Sequence, residues 1–192
     1  MIDKSLEFIR GRLNEHIKKK FELTQDKVRL SAIMKQNGNV DPEFVNDSVF
    51  IMLINVQEEP AIQSPTKYLN PENIEFSSVN PDMNINLVML VIVNFTHYAE
   101  ALKFLTAVIG FFQSQPVFSS ENSAGFNLEG ISKIRVRFVS QTQEQQNHLW
   151  GTLGAKYMPS AMYRVRLLKI QENEIRERTP QITTINREYM QS

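Results

Sequence analysis

Residues 84–118 read NINLVMLVIVNFTHYAEALKFLTAVIGFFQSQPVF, and this stretch decides the fold of the chain. Its first part, 87–95, is an almost unbroken apolar run rich in β-branched side chains. A strand carries such a run when both of its faces are covered, so we predict a strand in the middle of a sheet. Thr96 follows as a candidate helix cap, and from Tyr98 onward the apolar residues recur at helical spacing.

The predicted helix, 97–113, carries two apolar rows. The first row contains Tyr98, Leu102, Leu105, Ile109 and Phe112; the second contains Ala101, Phe104, Val108 and Phe111; the polar strip is Glu100, Lys103, Ala107, Gly110 and Gln113. One sheet cannot cover so wide an apolar surface, and an exposed apolar patch usually marks an interaction site. We therefore predict that the helix is partly core and partly a contact with another subunit, with Phe104, Val108 and Phe111 as candidate contact residues.

Size and composition exclude several classes of protein. The chain has 192 residues, which fits one domain with a substantial core. Its 21 basic residues equal its 21 acidic ones, so no bulk attraction to nucleic acid or to a membrane surface is expected. With no cysteine, disulfides, thiolate chemistry and zinc sites with sulfur ligands are excluded. Neither a secretory signal nor an apolar run long enough to span a bilayer is evident, so we expect a soluble protein.

The rest of the chain predicts an α/β-type (α+β) domain. Apolar residues at helical spacing predict a helix over 3–21, and Thr142 with Gln145 forms a capping box that opens a short polar helix. Further strands are predicted at 28–34, 49–56, 134–138 and 161–170. We therefore predict a single domain, 1–170, with a mixed, largely antiparallel sheet flanked by helices. A proline-rich connection, 57–84, is predicted as an insertion in this domain, and 171–192 as a C-terminal arm.

Residues typical of a reactive centre are scarce. None of the three histidines, His16, His97 and His148, has a carboxylate or a second histidine at metal-ligand spacing. The glycines at 151 and 154 come at a predicted helix end and lack the lysine of a phosphate-binding loop. No serine lies in the glycine frame of a nucleophile elbow. We assign no catalytic, cofactor-binding or metal-binding residue and expect a protein that is not an enzyme.

Two features favour binding to other proteins. Arg135, Arg137, Arg164 and Arg166 alternate along two predicted strands, and they would share one face if these strands are neighbours. Such a face is either simply solvated or a basic patch that docks acidic segments of a partner, because guanidinium groups pair well with carboxylates. The only tryptophan, Trp150, stands among small residues just before a strand. It either fills the core or anchors a subunit interface.

The same stretches carry a family resemblance. The segments YAEALKFLTAVIGFFQSQPVF (98–118) and LWGTLGAKYMPSAMYRVRLL (149–168) resemble the tail-terminator, or cap, proteins of extracellular contractile injection systems. Those particles are phage-tail-like, of the antifeeding-prophage type. The opening MIDKSLEFIRGRLNEHI and the run NLVMLVIVNF are similar to that family in the same order. The resemblance spans 2–170, and it leaves out the connection 57–84 and the arm.

The resemblance implies a phage tail-terminator-like domain that assembles into a homo-hexameric ring. Such a ring caps the distal end of the inner tube and sheath, stops their polymerisation and anchors the last sheath layer. It implies self-association and contacts with sheath and inner-tube proteins, without a cofactor, nucleic acid or membrane. It also implies a cytoplasmic protein during assembly that becomes part of a released extracellular particle. The alternative is a small monomeric α/β domain that binds a ligand or catalyses a reaction in a pocket under 57–84.

Overall fold

The computed structural model describes residues 1–34, 38–41, 44, 47–59, 68–69, 76–77, 84–169 and 178–179. In this part of the chain the helices are α1 (Ile2–Phe21), α2 (Tyr98–Ser114) and α3 (Gln143–Leu153). The strands are β1 (Val28–Leu30), β2 (Ser48–Glu59), β3 (Tyr68–Leu69), β4 (Phe76–Ser77), β5 (Asn84–Asn94), β6 (Val117–Ser119), β7 (Ile131–Val139), β8 (Ser160–Lys169) and β9 (Arg178–Thr179).

The main sheet has six strands in the order β1-β2-β5-β8-β7-β6. β1 runs parallel to β2, and the other neighbours are antiparallel. The prediction of a mixed, largely antiparallel sheet in an α+β domain is confirmed. A second, three-stranded sheet has the order β3-β4-β9.

Strand β5 lies inside the main sheet, as its apolar run predicts, and is buried on both faces. Leu87, Met89, Val91 and Val93 belong to one core cluster, together with residues of α1 and α2. Val88, Leu90 and Ile92 belong to a second cluster, together with Trp150 of α3. The molecule therefore has three layers, with α1 and α2 on one face of the sheet and α3 on the other.

Helix α1 packs its apolar stripe on the first face, where Ile9, Leu13 and Ile17 have no exposed surface. A buried polar side chain, Asn14, fixes how the following segment meets this helix. Its Oδ1 accepts hydrogen bonds from the backbone N–H groups of Lys27 (3.0 Å) and Val28 (3.1 Å). Since Val28 begins β1, this side chain connects α1 to the edge of the sheet.

Two local predictions are wrong at their boundaries. The predicted strand 28–34 ends at Leu30, and Met34 instead forms an isolated bridge with Val40. Thr96 does not cap α2, because His97 is the N-cap residue, and its side chain makes no capping hydrogen bond. The backbone N–H of Thr96 donates to Asp47 Oδ1 (2.9 Å), a contact made across 49 residues.

Both ends of the predicted insertion, 57–84, belong to paired strands of the main sheet. β2 continues to Glu59 and β5 begins at Asn84, so their antiparallel pairing occupies both ends of that segment. β4 lies within the insertion and pairs with β9, which lies within the predicted arm. Most of both segments lies outside the described residues, and the boundaries of the domain, insertion and arm stay predictions.

We expect Asn14→Ala to lower the free energy of unfolding by about 2–3 kcal/mol, because it leaves two backbone N–H groups without their acceptor. Urea unfolding followed by circular dichroism measures this. The matched control is Asn147→Ala, a change of an exposed asparagine on α3, which should alter stability by about 0.5 kcal/mol or less. Equal unfolding midpoints for the two variants would show that Asn14 does not hold β1 to α1.

Candidate interaction surfaces

Helix α2 buries the second of its two apolar rows. Ala101, Phe104, Val108 and Phe111 are all less than a tenth exposed, and Ala107, predicted on the polar strip, is fully buried. Phe104 stacks on Phe21 of α1, with ring centroids 4.3 Å apart. The candidate contact residues Phe104, Val108 and Phe111 therefore lie in the subunit's own core, where a neighbouring subunit cannot reach them.

The other apolar row of α2 is the one that faces outward. Tyr98 is 65% exposed, Leu102 42% and Ile109 38%. Phe112, from the same predicted row, is buried, so the exposed surface is narrower than the row. We call the three exposed side chains of this row, Tyr98, Leu102 and Ile109, the α2 apolar row. A contact with another subunit through α2 stays a prediction, and these are the side chains that it would use.

Trp150 also lies inside the subunit. Thr142 opens α3 through the predicted capping box, in which its hydroxyl accepts from Gln145 N–H (3.2 Å) and its N–H donates to Gln145 Oε1 (3.1 Å). The helix ends at Gly154, whose positive φ of 64° suits glycine. Between these ends Trp150 turns toward the sheet and is only 5% exposed. Of the two interpretations of this residue, the structure supports the filling of the core.

The four arginines lie on one face of two neighbouring strands, as predicted. In the register of β7 and β8, Arg135 lies opposite Arg166 and Arg137 lies opposite Arg164. With Asn86 of β5 they line a small cleft of about 90 Å³. Arg137 and Arg164 are exposed, whereas Arg135 and Arg166 are half-buried. We call this set the arginine face.

The arginine face begins where the cover provided by α3 ends. On this side of the sheet, one row across three strands is apolar, namely Leu90, Met162 and Val139. The two rows beyond it hold the four arginines, with Val88 and Asn86 on β5. Positive charges directly opposite each other destabilise a sheet. Among the described residues, no salt bridge involves Arg135, Arg137 or Arg164. An external carboxylate would therefore relieve the repulsion.

Groups that could support chemistry do not converge. In the described part of the chain, no three histidine or acidic side chains are close enough to hold a metal ion. His16 lies against Phe111, and burial, followed by the charges of Lys20 and Lys19, lowers its pKa. Burial raises the pKa of the Tyr163 hydroxyl, which makes it a poorer acid. No helix among the described residues has the length and apolar character that a membrane crossing requires.

One surface residue was not found by sequence reasoning. Phe138 continues the alternation of Ile134 and Val136, which predicts a buried position, yet it is 56% exposed. The strand next to it, β6, begins only at Val117, which pairs with Arg135, so β6 does not reach Phe138. The signal available in the sequence was Pro116, which cannot extend a strand ladder.

The comparisons with known proteins agree with the resemblance in the sequence. The family model described as the Pvc16 N-terminal domain matches residues 6–184. This match includes the connection 57–84 and part of the arm, which the resemblance left out. No curated protein sequence matches the chain significantly.

Two solved structures share the fold. One is the sheath/tube terminator of the PVC extracellular contractile injection system in the extended state, with a TM-score of 0.53 and 15% identity. The other is the tube-terminating cap of the anti-feeding prophage, with a TM-score of 0.52 and 9% identity. Each comparison covers 94% of this chain, but only 63% and 60% of those two proteins. The chain thus spans about three fifths of their length.

Proposed function

The chain belongs to the Pvc16 N-terminal domain family, and from this membership we propose that it is a structural cap of a contractile injection system. In this role it ends the polymerisation of the inner tube and sheath and anchors the last sheath layer. The observation that carries the proposal is the family match over residues 6–184. The fold shared with a sheath/tube terminator and with a tube-terminating cap supports it.

The cap works through surfaces and needs neither a cofactor nor a reaction. The related structures are a sheath/tube terminator and a tube-terminating cap. These observations favour the cap over the alternative of a small ligand-binding or catalytic domain. The protein assembles in the cytoplasm and leaves as part of an extracellular particle.

The main test is to delete the gene that encodes this chain in cells that produce the particle. We expect tubes and sheaths of widely varying length, because nothing then stops the addition of subunits. Electron microscopy of purified particles measures the length distribution, and the chain supplied from a plasmid is the control. Deletion particles with the normal length distribution and a firmly attached sheath would contradict the proposed function.

The cap assembles as a homo-hexameric ring, as the family resemblance implies. A cyclic ring joins two different patches on each subunit, and an exposed apolar patch is a common mark of such a contact. The α2 apolar row is the candidate for that patch, since Tyr98 and Leu102 expose large side chains next to each other on the helix.

We expect Tyr98→Asp with Leu102→Glu to prevent ring formation while leaving the subunit folded. Both side chains are exposed, and an acidic residue in the first turn of a helix is favourable. Light scattering after size-exclusion chromatography, with tube ends added where the free chain is monomeric, measures the assembly. Ala99→Asp with Thr106→Glu adds two acidic residues at other exposed positions of α2 and serves as the control. A ring formed equally well by both variants would argue against a contact through this row.

The arginine face is the candidate for docking to sheath or tube. Guanidinium groups in opposed pairs suit carboxylates, and the cleft between them is open to a partner. This use of the four arginines is a proposal, since a solvated face would have the same geometry.

We expect Arg137→Glu with Arg164→Glu to weaken attachment of the cap to the particle, because repulsion replaces attraction at two exposed positions. The measurement is the fraction of particles that carry a cap, seen by electron microscopy. Lys4→Glu with Arg29→Glu makes the same change of charge on α1 and β1 and is the control. If both variants cap the same fraction of particles, the arginines do not dock the cap and form a solvated face.

A further inference from the structure

The outer edge of β7 is only half paired in the described part of the chain. β6 pairs with residues 133–135 of β7, from Ser119↔Lys133 to Val117↔Arg135. One further hydrogen bond follows, from Val136 N–H to the carbonyl oxygen of Pro116 (2.8 Å). Proline has no N–H that could donate to the carbonyl oxygen of Val136, so the ladder of hydrogen bonds stops there. In an antiparallel ladder alternate residues bond on the same side, and this places the N–H and C=O of Phe138 on the open edge.

An apolar groove lies directly beside this open edge. It has a volume of about 460 Å³ and is lined by α2 on one side and by β7 and β8 on the other. Its walls include Ile109, Phe112 and Pro116, together with Val136, Phe138 and Tyr163. Phe138 and Ile109 are 56% and 38% exposed, so large apolar surfaces face solvent here.

Tyr163 of β8 also lines the groove. The buried hydroxyl of Tyr163 has no hydrogen-bond partner among the described residues. The ring of Tyr163 packs edge-on against Phe138, with centroids 5.6 Å apart.

An open strand edge beside an apolar groove has the geometry that strand addition uses. The backbone of an extended segment pairs with the edge, and alternate side chains enter pockets along it. Successive side chains of the added strand point to opposite faces of the sheet. Those on the α2 side would enter the groove, and those on the other side would lie next to Arg137.

Arg137 determines the charge of the preferred segment. Arg137 lines both the groove and the cleft of the arginine face, and its place in the strand puts its side chain on the arginine face. It lies opposite Arg164 on β8, so this side of the edge is strongly positive. A neighbouring strand places its side chain about 5 Å from the one opposite, close enough for a carboxylate to pair with a guanidinium. The two faces therefore select apolar and acidic side chains in alternation.

We propose that the outer edge of β7 at Phe138 binds, by strand addition, an extended segment of another protein in which apolar and acidic residues alternate. The alternation follows from the apolar groove on one face and from Arg137 on the other. The inference goes beyond the proposed function, because it specifies the sequence pattern of a partner and is tested without the particle.

The probe is a fluorescein-labelled nine-residue peptide that alternates valine with glutamate. A peptide of the same composition, with its valines and glutamates in two separate blocks, is the control for pattern. We expect the alternating peptide to bind the full chain at least tenfold more tightly in a fluorescence anisotropy titration. Equal binding of the two peptides would show that composition and charge alone govern the contact, and it would overturn the proposal.

Variants of the chain test the contribution of Arg137. We expect Arg137→Glu to weaken the binding of the alternating valine–glutamate peptide at least tenfold. The same variant should instead bind a peptide in which lysine replaces each glutamate. Arg29→Glu changes an exposed arginine on β1, at the opposite edge of the sheet, and should leave both affinities unchanged. Equal losses in the two variants would contradict a contact at the edge of β7.

Hydrogen exchange of the Phe138 amide tests strand addition itself. We expect this amide to exchange rapidly in the free chain and at least tenfold more slowly with the alternating peptide bound. An amide that is already protected in the free chain would show that the chain itself or a second copy covers the edge, and the proposal would be wrong. An amide that remains unprotected in the presence of bound peptide would also refute it.

Discussion

The burial of β5 on both faces is the constraint on which the rest of the structure depends. From Leu87 to Val93 no side chain of this strand is more than a tenth exposed. Apolar side chains on both sides of one strand require a covering layer on each side. Each fully buried side chain adds about 1.5–3 kcal/mol to the stability of the fold, and this contribution is lost when the side chain is exposed to water. Helices α1 and α2 supply one layer, and α3 supplies the other. The position of β5 inside the sheet follows from the same requirement, since an edge strand would leave part of this surface open.

The two layers are unequal, and their inequality creates the surface available to partners. α1 and α2 together have 37 residues, whereas α3 has 11 and covers only one end of its face. Where α3 ends, the residues on β7 and β8 change from apolar to arginine. Charged side chains can face solvent here, although positive charges directly opposite each other repel one another. Because α3 is short, it leaves the arginine face uncovered, and carboxylates of a partner would pair with these arginines.

Periodicity in the sequence predicted the elements well, but not which side of a two-rowed helix packs inward. The apolar run of β5, the capping box at Thr142 and the alternation of the arginines each contain enough local information to place a residue on a face. In α2 the two apolar rows are of similar hydrophobicity, and the choice depends on Phe21 of α1, which packs on Phe104. The same limitation applies to Thr96, whose hydrogen bond to Asp47 joins residues far apart in the sequence. Features fixed by distant contacts cannot be inferred from local spacing.

The three surfaces described above lie on different sides of the domain, so the domain can offer separate contacts to different partners. The α2 apolar row lies in the layer on one face of the sheet, and the arginine face lies on the opposite side. The open edge of β7 lies between them, with Phe138 belonging to the groove of α2 and Arg137 to the arginine cleft. The body of the sheet separates these two surfaces, so a single contact on the α2 side does not by itself cover the arginine face. A strand added at the edge would contact both faces at once, so its sequence must satisfy an apolar and a positively charged environment in alternation.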